Sequence, residues 1–213
     1  ETSAWLQPVK DRCIVVPLAV DHHRFTPPSD PYGGPPRLLF VGRLRYYKGL
    51  DALLEAMTLL PPEVRLCVVG TGPMMATWQE LAEVLEITDR VEFVGEVSDA
   101  NLPDYCRNAS LFVLPANARS EAFGMVLLEA MASGLPCVTT EVGTGTSWVV
   151  QDGVTGSVVL PNAPESLAAA IRDLLADEAT PAKMGYASRA RVEAEFTEPK
   201  LVQRVLDVYE SLV

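Results

Sequence analysis

A chain of 213 residues, 48% hydrophobic and 21% charged, is long and apolar enough for a sizeable folded core, which argues against disorder. Its net charge of −11 argues against nucleic acid as a partner, because phosphate backbones are bound by basic surfaces, and against flat docking on an anionic membrane. No stretch approaches the roughly 18 uninterrupted apolar residues of a membrane helix and no signal peptide is evident, so a cytoplasmic protein is expected.

Residues 1–12 hold no complete element, and Glu1 stands where an initiator Met would, so the chain reads as a piece of something longer. The run CIVVPL (13–18) reads as a first strand, and the Pro/Gly-rich stretch from Pro27 to Pro36 as a loop. Strand and helix then alternate: RLLFVG (37–42), helical LDALLEAMTLL (50–60), VRLCVVG (64–70), helical MATWQELAEVL (75–85) and RVEFVG (90–95). The alternation continues with a helix near Ala100–Asn108, SLFVLP (110–115), helical SEAFGMVLLEAMASGLP (120–136), PCVTT (136–140) and SVVL (157–160). From about Glu165 the chain is helical, with breaks at Thr180-Pro181 and at Thr197-Glu198-Pro199.

Nearly continuous apolar strands separated by helices predict an α/β fold, a doubly wound Rossmann-like parallel sheet with helices on both faces. Three segments follow: residues 1–24 as an interdomain segment and first strand, 25–196 as the ligand-binding domain, and 197–213 as a C-terminal helix. The four cysteines are isolated and read as buried thiols, and His22-His23 as a polar loop.

Ligands of doubly wound sheets lie outside the carboxyl ends of the strands. After RLLFV come Gly42, Arg43 and Lys48. A cation at a helix start opposes the macrodipole, so Lys48 is misplaced unless an anion sits there, and with Arg43 it forms a candidate diphosphate clamp. Solvated loop charges are the alternative, and in the clamp reading too Arg43 and Lys48 are expected, as surface cations, to matter far less for folding than for diphosphate binding. After VRLCVV comes Gly70-Thr71-Gly72-Pro73, which permits close backbone approach. As a dinucleotide fingerprint it is weak, since Met75 holds the third glycine position.

The stretch 120–136 poses the sharpest question, since Glu121 and Glu129 bound an apolar run and an unpartnered buried carboxylate is costly. If the helix begins near Phe123-Gly124, the free N–H groups of Phe123, Gly124, Met125 and Val126 form an anion site. Glu129 shares a face with Met125 and Val126 and leans back toward that end. Both carboxylates are then candidates to accept hydrogen bonds from ligand hydroxyls on either side of a phosphate. A favourable first-turn charge and a surface helix residue are the plainer reading.

Together, GRLRYYKG (42–49), GTGP (70–73), FVGEVSDANLPDYCRNASLFVLPA (93–116) and SEAFGMVLLEAMASGLPCV (120–138) resemble the C-terminal, donor-binding domain of GT-B retaining glycosyltransferases of family 4, with Glu121 and Glu129 matching that family's E-x7-E motif. The resemblance implies a hexosyltransferase of polysaccharide biosynthesis whose donor is a UDP- or GDP-sugar and whose acceptor, a glycan or lipid-linked sugar, is held largely by an N-terminal domain. It places the diphosphate on Arg43, Lys48 and the N–H groups of residues 124–126, sugar hydroxyls on Glu121, the ribose on Glu129, and the base near Val94 and Leu102. Gly42 and Gly70 would let backbone approach the donor, and residues 197–213 resemble the segment that crosses back to the other domain. The entry loop PLAVD (17–21) departs from the family in having Ala19 where Gly is frequent.

Arg43, Lys48 and Glu121 are the candidate catalytic residues. Whether Glu121 attacks the anomeric carbon or orients the sugar is open, with orientation favoured. No Asp-x-Asp pair occurs anywhere in the sequence, so no metal and no cofactor are expected, and the fragment is expected to be inactive without its acceptor domain. Peripheral association of the longer protein with the inner face of a membrane is compatible with a lipid-linked acceptor. A GT-B epimerase or phosphorylase shares such a donor site. A nicotinamide-dependent dehydrogenase using Gly70-Thr71-Gly72 with Glu92 as the ribose acid, and a non-catalytic sugar-nucleotide-binding module, are the rivals from other classes.

Overall fold

The computed structural model describes residues 6–29, 33–177 and 179–212. All six strands sit within a residue or two of their predicted places: β1 (Arg37–Val41), β2 (Arg65–Val69), β3 (Val91–Gly95), β4 (Leu111–Leu114), β5 (Cys137–Thr140) and β6 (Gly156–Val159). The order across the sheet is β3-β2-β1-β4-β5-β6 and every pairing is parallel. Parallel strands need crossover helices that cover both faces, and burial follows from that. Leu38 to Val41, Leu66 to Val69, β4 and β5 are buried throughout, while the edge strands β3 and β6 are only half-buried.

The helices form two layers. α1 (Leu50–Thr58) packs on α2 (Met75–Val84) and α6 (Pro164–Leu175). α4 (Met125–Ala132) packs on α3 (Leu102–Arg107), α5 (Thr146–Val149) and α7 (Ala179–Glu195). The doubly wound fold is as expected from the sequence. Because β1 is flanked by β2 on one side and β4 on the other, the chain reverses its winding there. The switch point at which such sheets bind ligands therefore lies between the carboxyl ends of β1 and β4.

Three local readings need correction. CIVVPL is not a strand: residues 13–18 are irregular, Ile14 and Val15 are exposed, and no strand among the described residues pairs with them. Its β-branched composition favours an extended chain, but a strand also requires a partner ladder. Ahead of it, Gln7–Arg12 forms 3-10 turns where no complete element was expected. The helical tail breaks at 176–177 rather than at Thr180-Pro181. Asp177 accepts hydrogen bonds from the N–H and hydroxyl of Thr180 at 2.7 and 2.9 Å, which caps α7 and leaves Pro181 in the first turn, where its missing N–H does no harm. Part of the Pro27–Pro36 loop lies outside the described residues.

The chain enters and leaves the sheet domain at one place. Val20 donates to the carbonyl of Phe196 at 2.9 Å and bridges Thr197, just before α8 (Glu198–Glu210). Arg189 fixes the entry by donating from one guanidinium nitrogen to the carbonyls of His22, Phe25 and Ala132 at 2.7–2.8 Å. Nothing in α8 is buried, and Val202, Val205, Leu206 and Tyr209 are exposed. No described helix is long and apolar enough to cross a membrane.

Candidate functional site at the sheet switch point

The loops leaving the carboxyl ends of the strands are zipped to one another by backbone. Gly42 donates to Val69, Leu44 to Thr71, Met74 to Leu44 and Gly70 to Gly95, at 2.7–3.0 Å. The glycines make this approach feasible. A Cβ on Gly70 would stand 2.1 Å from the Gly42 carbonyl oxygen, and one on Gly72 would stand 2.4 Å from the Leu44 oxygen. Those faces of Gly70 and Gly72 are thus spent on packing loop against loop. Across the switch point, Asn117 donates its N–H to the carbonyl of Tyr47 at 2.9 Å and its amide to that of Tyr46 at 3.1 Å. A Cβ on Gly49 would fall 2.0 Å from the Pro115 oxygen, so the β1 and β4 loops meet with no side chain between them.

This contact sets Lys48 against Glu121. The two residues are 7% and 8% exposed and their charged atoms stand 2.6 Å apart. The sequence reading required an anion near Lys48 at the start of α1, and the chain itself supplies one. The reading of Lys48 as a solvated loop charge fails: its ammonium is packed against Gly42, where a Cβ would come within 3.2 Å of Cε and Nζ. Glu121 Oε2 has no aligned hydrogen bond among the described residues, so its contact with Lys48 is purely one of charge.

The backbone of Glu121 is held from both sides. Its N–H donates to Ala118 at 3.1 Å, and its carbonyl accepts the Thr144 hydroxyl at 2.7 Å. Gly145 donates to Ala122 at 2.9 Å. Nothing in the sequence pointed to Thr144 or to α5, which is four residues long and too short to show helical periodicity. The Phe123 ring lies 6.4 Å from that of Phe196 and 6.5 Å from that of Trp148, with Arg191 over both partners.

Gly124 adopts a left-handed conformation (φ 81°) as the residue before α4, where a Cβ would press on Leu127 at 2.8 Å. No described carbonyl accepts from the N–H groups of Phe123, Gly124, Met125 or Val126. The anion site expected from the sequence is therefore open. Arg43, on the loop after β1, is exposed and lines a cleft of about 410 Å³ with Gly70, Thr71, Gly72 and Glu96. Glu96, at the end of β3, was not singled out from sequence, because a lone exposed carboxylate carries no pattern.

Val94 is half-buried and Leu102 buried, on the β3 side of the cleft. Glu129 is mostly buried with no ion-pair partner among the described residues, and burial pushes its carboxyl up to about 7, opposed by nearby Arg24 and reinforced by Asp99. It thus titrates near neutral pH, in a charge environment separate from that of Glu121. Glu92, the ribose acid of the nicotinamide reading, lines a different cavity at the amino end of the sheet with Arg37, Arg65 and Arg90. Among the cysteines, Cys67, Cys106 and Cys137 are buried free thiols as expected, whereas Cys13 is exposed.

Comparison with known proteins places this geometry. Residues 23–191 match the family described as glycosyl transferases group 1. The O-antigen chain mannosyltransferase C of Escherichia coli is 34% identical over the whole of this chain, which spans 58% of that protein. The GDP-mannose-dependent alpha-(1-6)-phosphatidylinositol monomannoside mannosyltransferase of Mycolicibacterium smegmatis is 34% identical over 82% of this chain and 50% of its own length. Among solved structures, sucrose-phosphate synthase of Thermosynechococcus elongatus superposes with a TM-score of 0.87 and 30% identity, over 98% of this chain and 55% of that one. The chain thus spans about half the length of the proteins it matches.

Proposed function

The chain belongs to the glycosyl transferases of group 1, and on that premise we propose that it is the donor-binding half of a retaining enzyme that moves a hexose from a UDP- or GDP-sugar to a glycan or lipid-linked acceptor. The observation that carries this reading is that the β1 and β4 loops meet at the switch point of the sheet and set the Lys48 ammonium against the buried Glu121, with Arg43 on the same β1 loop and, ahead of α4, N–H groups at residues 123–126 that no described carbonyl claims. Such a site offers positive charge on two sides of a diphosphate and a carboxylate beyond it.

Departure of a nucleoside diphosphate loads negative charge onto the β-phosphate, and fixed donors aimed at developing charge are commonly the largest catalytic contribution. Arg43, Lys48 and the N–H groups of residues 124–126 fill that role. Glu121 accepts from sugar hydroxyls and orients the ring, Glu129 accepts from the ribose, and the base lies toward Val94 and Leu102. Two cations and a helix dipole do the work of a divalent ion, so chelation with EDTA should leave donor affinity unchanged. The acceptor is bound by a further domain, without which this chain binds donor and does not turn over. The nicotinamide reading has little support, since the faces of Gly70 and Gly72 are filled by protein backbone and Glu92 lies at the opposite end of the sheet.

The test is calorimetric titration of this chain with UDP, GDP and their hexose conjugates, alongside thermal unfolding, where ligand at about 100 times its Kd adds about 2.7 kcal/mol of stability. Binding of at least one nucleoside diphosphate is expected. No heat and no stabilisation with either at millimolar concentration overturns the reading.

A further inference from the structure

Lys48 and Glu121 have different duties in the proposed reaction, one toward phosphate and one toward sugar, yet here the two are paired with each other. We propose that this ion pair is an exchangeable internal counter-ion: the donor's diphosphate takes the place of Glu121 at the Lys48 ammonium, and the displaced carboxylate becomes the acceptor for the sugar hydroxyls. The inference rests on the donor-site reading above and adds an order of events to it.

Four features of the site support the exchange. Both groups are more than nine-tenths buried, so their charges are poorly screened and a carboxylate and a phosphate cannot both crowd one ammonium without strong repulsion. Glu121 Oε2 makes no directed hydrogen bond to a described residue, so the 2.6 Å charge contact is what engages that oxygen. Lys48 is wedged against Gly42 and cannot easily follow the carboxylate. The Glu121 backbone is pinned through Ala118 and Thr144, leaving rotation of the side chain as the available movement. Arg43, exposed at the cleft mouth, is free to meet the incoming phosphate first.

Two consequences follow. A nucleoside diphosphate binds more weakly than its contacts alone would give, since it must first separate a buried pair. A sugar without phosphate finds its acceptor already engaged, so sugar recognition is conditional on the diphosphate.

The experiment titrates UDP and GDP, each with its hexose conjugate, into the wild-type chain, Glu121→Gln and Glu121→Asp. Glu121→Gln removes the competitor and is expected to raise nucleoside diphosphate affinity about tenfold or more, while the conjugate gains far less because its hydroxyl acceptor is weakened. Glu121→Asp keeps the charge but loses reach, and is expected to give a smaller gain in the same direction, which secures the result if the Gln variant fails to fold. The wild-type chain labelled at the glutamate carboxyl carbon supplies a third readout, with the Glu121 signal assigned by its absence from Glu121→Asp. That signal should shift on adding a nucleoside diphosphate alone. If the wild type binds a nucleoside diphosphate while both variants bind it equally or more weakly, or the Glu121 signal does not move, the exchange is wrong and the donor site stands. If the wild type binds neither nucleoside diphosphate, the donor site and the exchange fall together.

Discussion

The two ends of the sheet carry similar charges and use them differently. At the amino end, Arg37, Arg65 and Arg90 surround a cavity of about 330 Å³ with Asp89 and Glu92. Arg90 donates to the carbonyls of Val64, Leu60 and Pro61 at 3.1–3.4 Å, and Arg65 to that of Pro62 at 3.1 Å. Arg65 and Arg90 thereby staple the turn after α1 through backbone carbonyls. At the carboxyl end, Arg43 has no hydrogen bond or ion pair to a described residue, Lys48 pairs with a carboxylate and lies over the Tyr47 ring, and four consecutive N–H groups are claimed by no described carbonyl. A cluster of arginines does not make a site; unspent donors do.

Substitutions at the two ends should separate along that line. The largest effect is expected for Lys48→Ala, which strands the buried Glu121. Breaking one side of a buried pair typically removes about 3–5 kcal/mol, so urea unfolding should show a large loss together with loss of diphosphate binding. That outcome differs from what a loop lysine would give, and stability within about 0.5 kcal/mol of wild type would contradict the packed geometry. Next comes Arg43→Ala, which should keep its stability and lose about 1.5–3 kcal/mol of nucleoside diphosphate affinity, the strength of a charge-assisted hydrogen bond. Its mirror at the other end is Arg90→Ala, expected to destabilise by about 1–2 kcal/mol through its orphaned carbonyls with affinity unchanged. If Arg90→Ala weakens ligand binding as much as Arg43→Ala does, the contrast between the ends is false.

The most gradual effect concerns Glu129 and pH. Burial holds its carboxyl at about 7 in the folded chain against 4.5 otherwise, so between those values the folded state binds the extra proton. Stability therefore falls as pH rises from about 4.5 to about 7 and is level beyond, with a contribution on the order of 1–3 kcal/mol. Glu129→Gln should remove that slope and be the more stable form at pH 8. If the ionised carboxylate receives the ribose, nucleotide affinity should rise through about pH 7 with uptake of ligand releasing a proton, and Glu129→Gln should weaken nucleoside diphosphate and sugar-nucleotide alike. A flat affinity profile in the wild type would remove Glu129 from the site.

How much of this was legible in the sequence depended on whether the cause was local. Strands such as RLLFV and SLFVL declare themselves because a sheet covered on both faces needs unbroken apolar runs. The residues that follow them, Arg43, Lys48, Glu121 and Gly124, stood out as candidates because ligands gather at strand ends. What stayed hidden was pairing. CIVVPL has strand composition and no partner, Pro181 looks like a breaker until Asp177 caps the turn ahead of it, and Lys48 looks like a surface charge until a residue 73 positions away is brought against it. Thr144 was invisible for the same reason, since its role is to a carbonyl on another loop.

The single rung between Val20 and the segment at Phe196-Thr197 has a mechanical meaning. The leading segment and the start of α8 touch through that rung, so either can bend there by a few backbone dihedrals without breaking any bond of the sheet. The rung is not isolated from the ligand end, because Phe196, whose carbonyl holds Val20, also packs its ring against Phe123 just ahead of α4. Bending at the rung is therefore felt at the same aromatic carbons that precede the helix start.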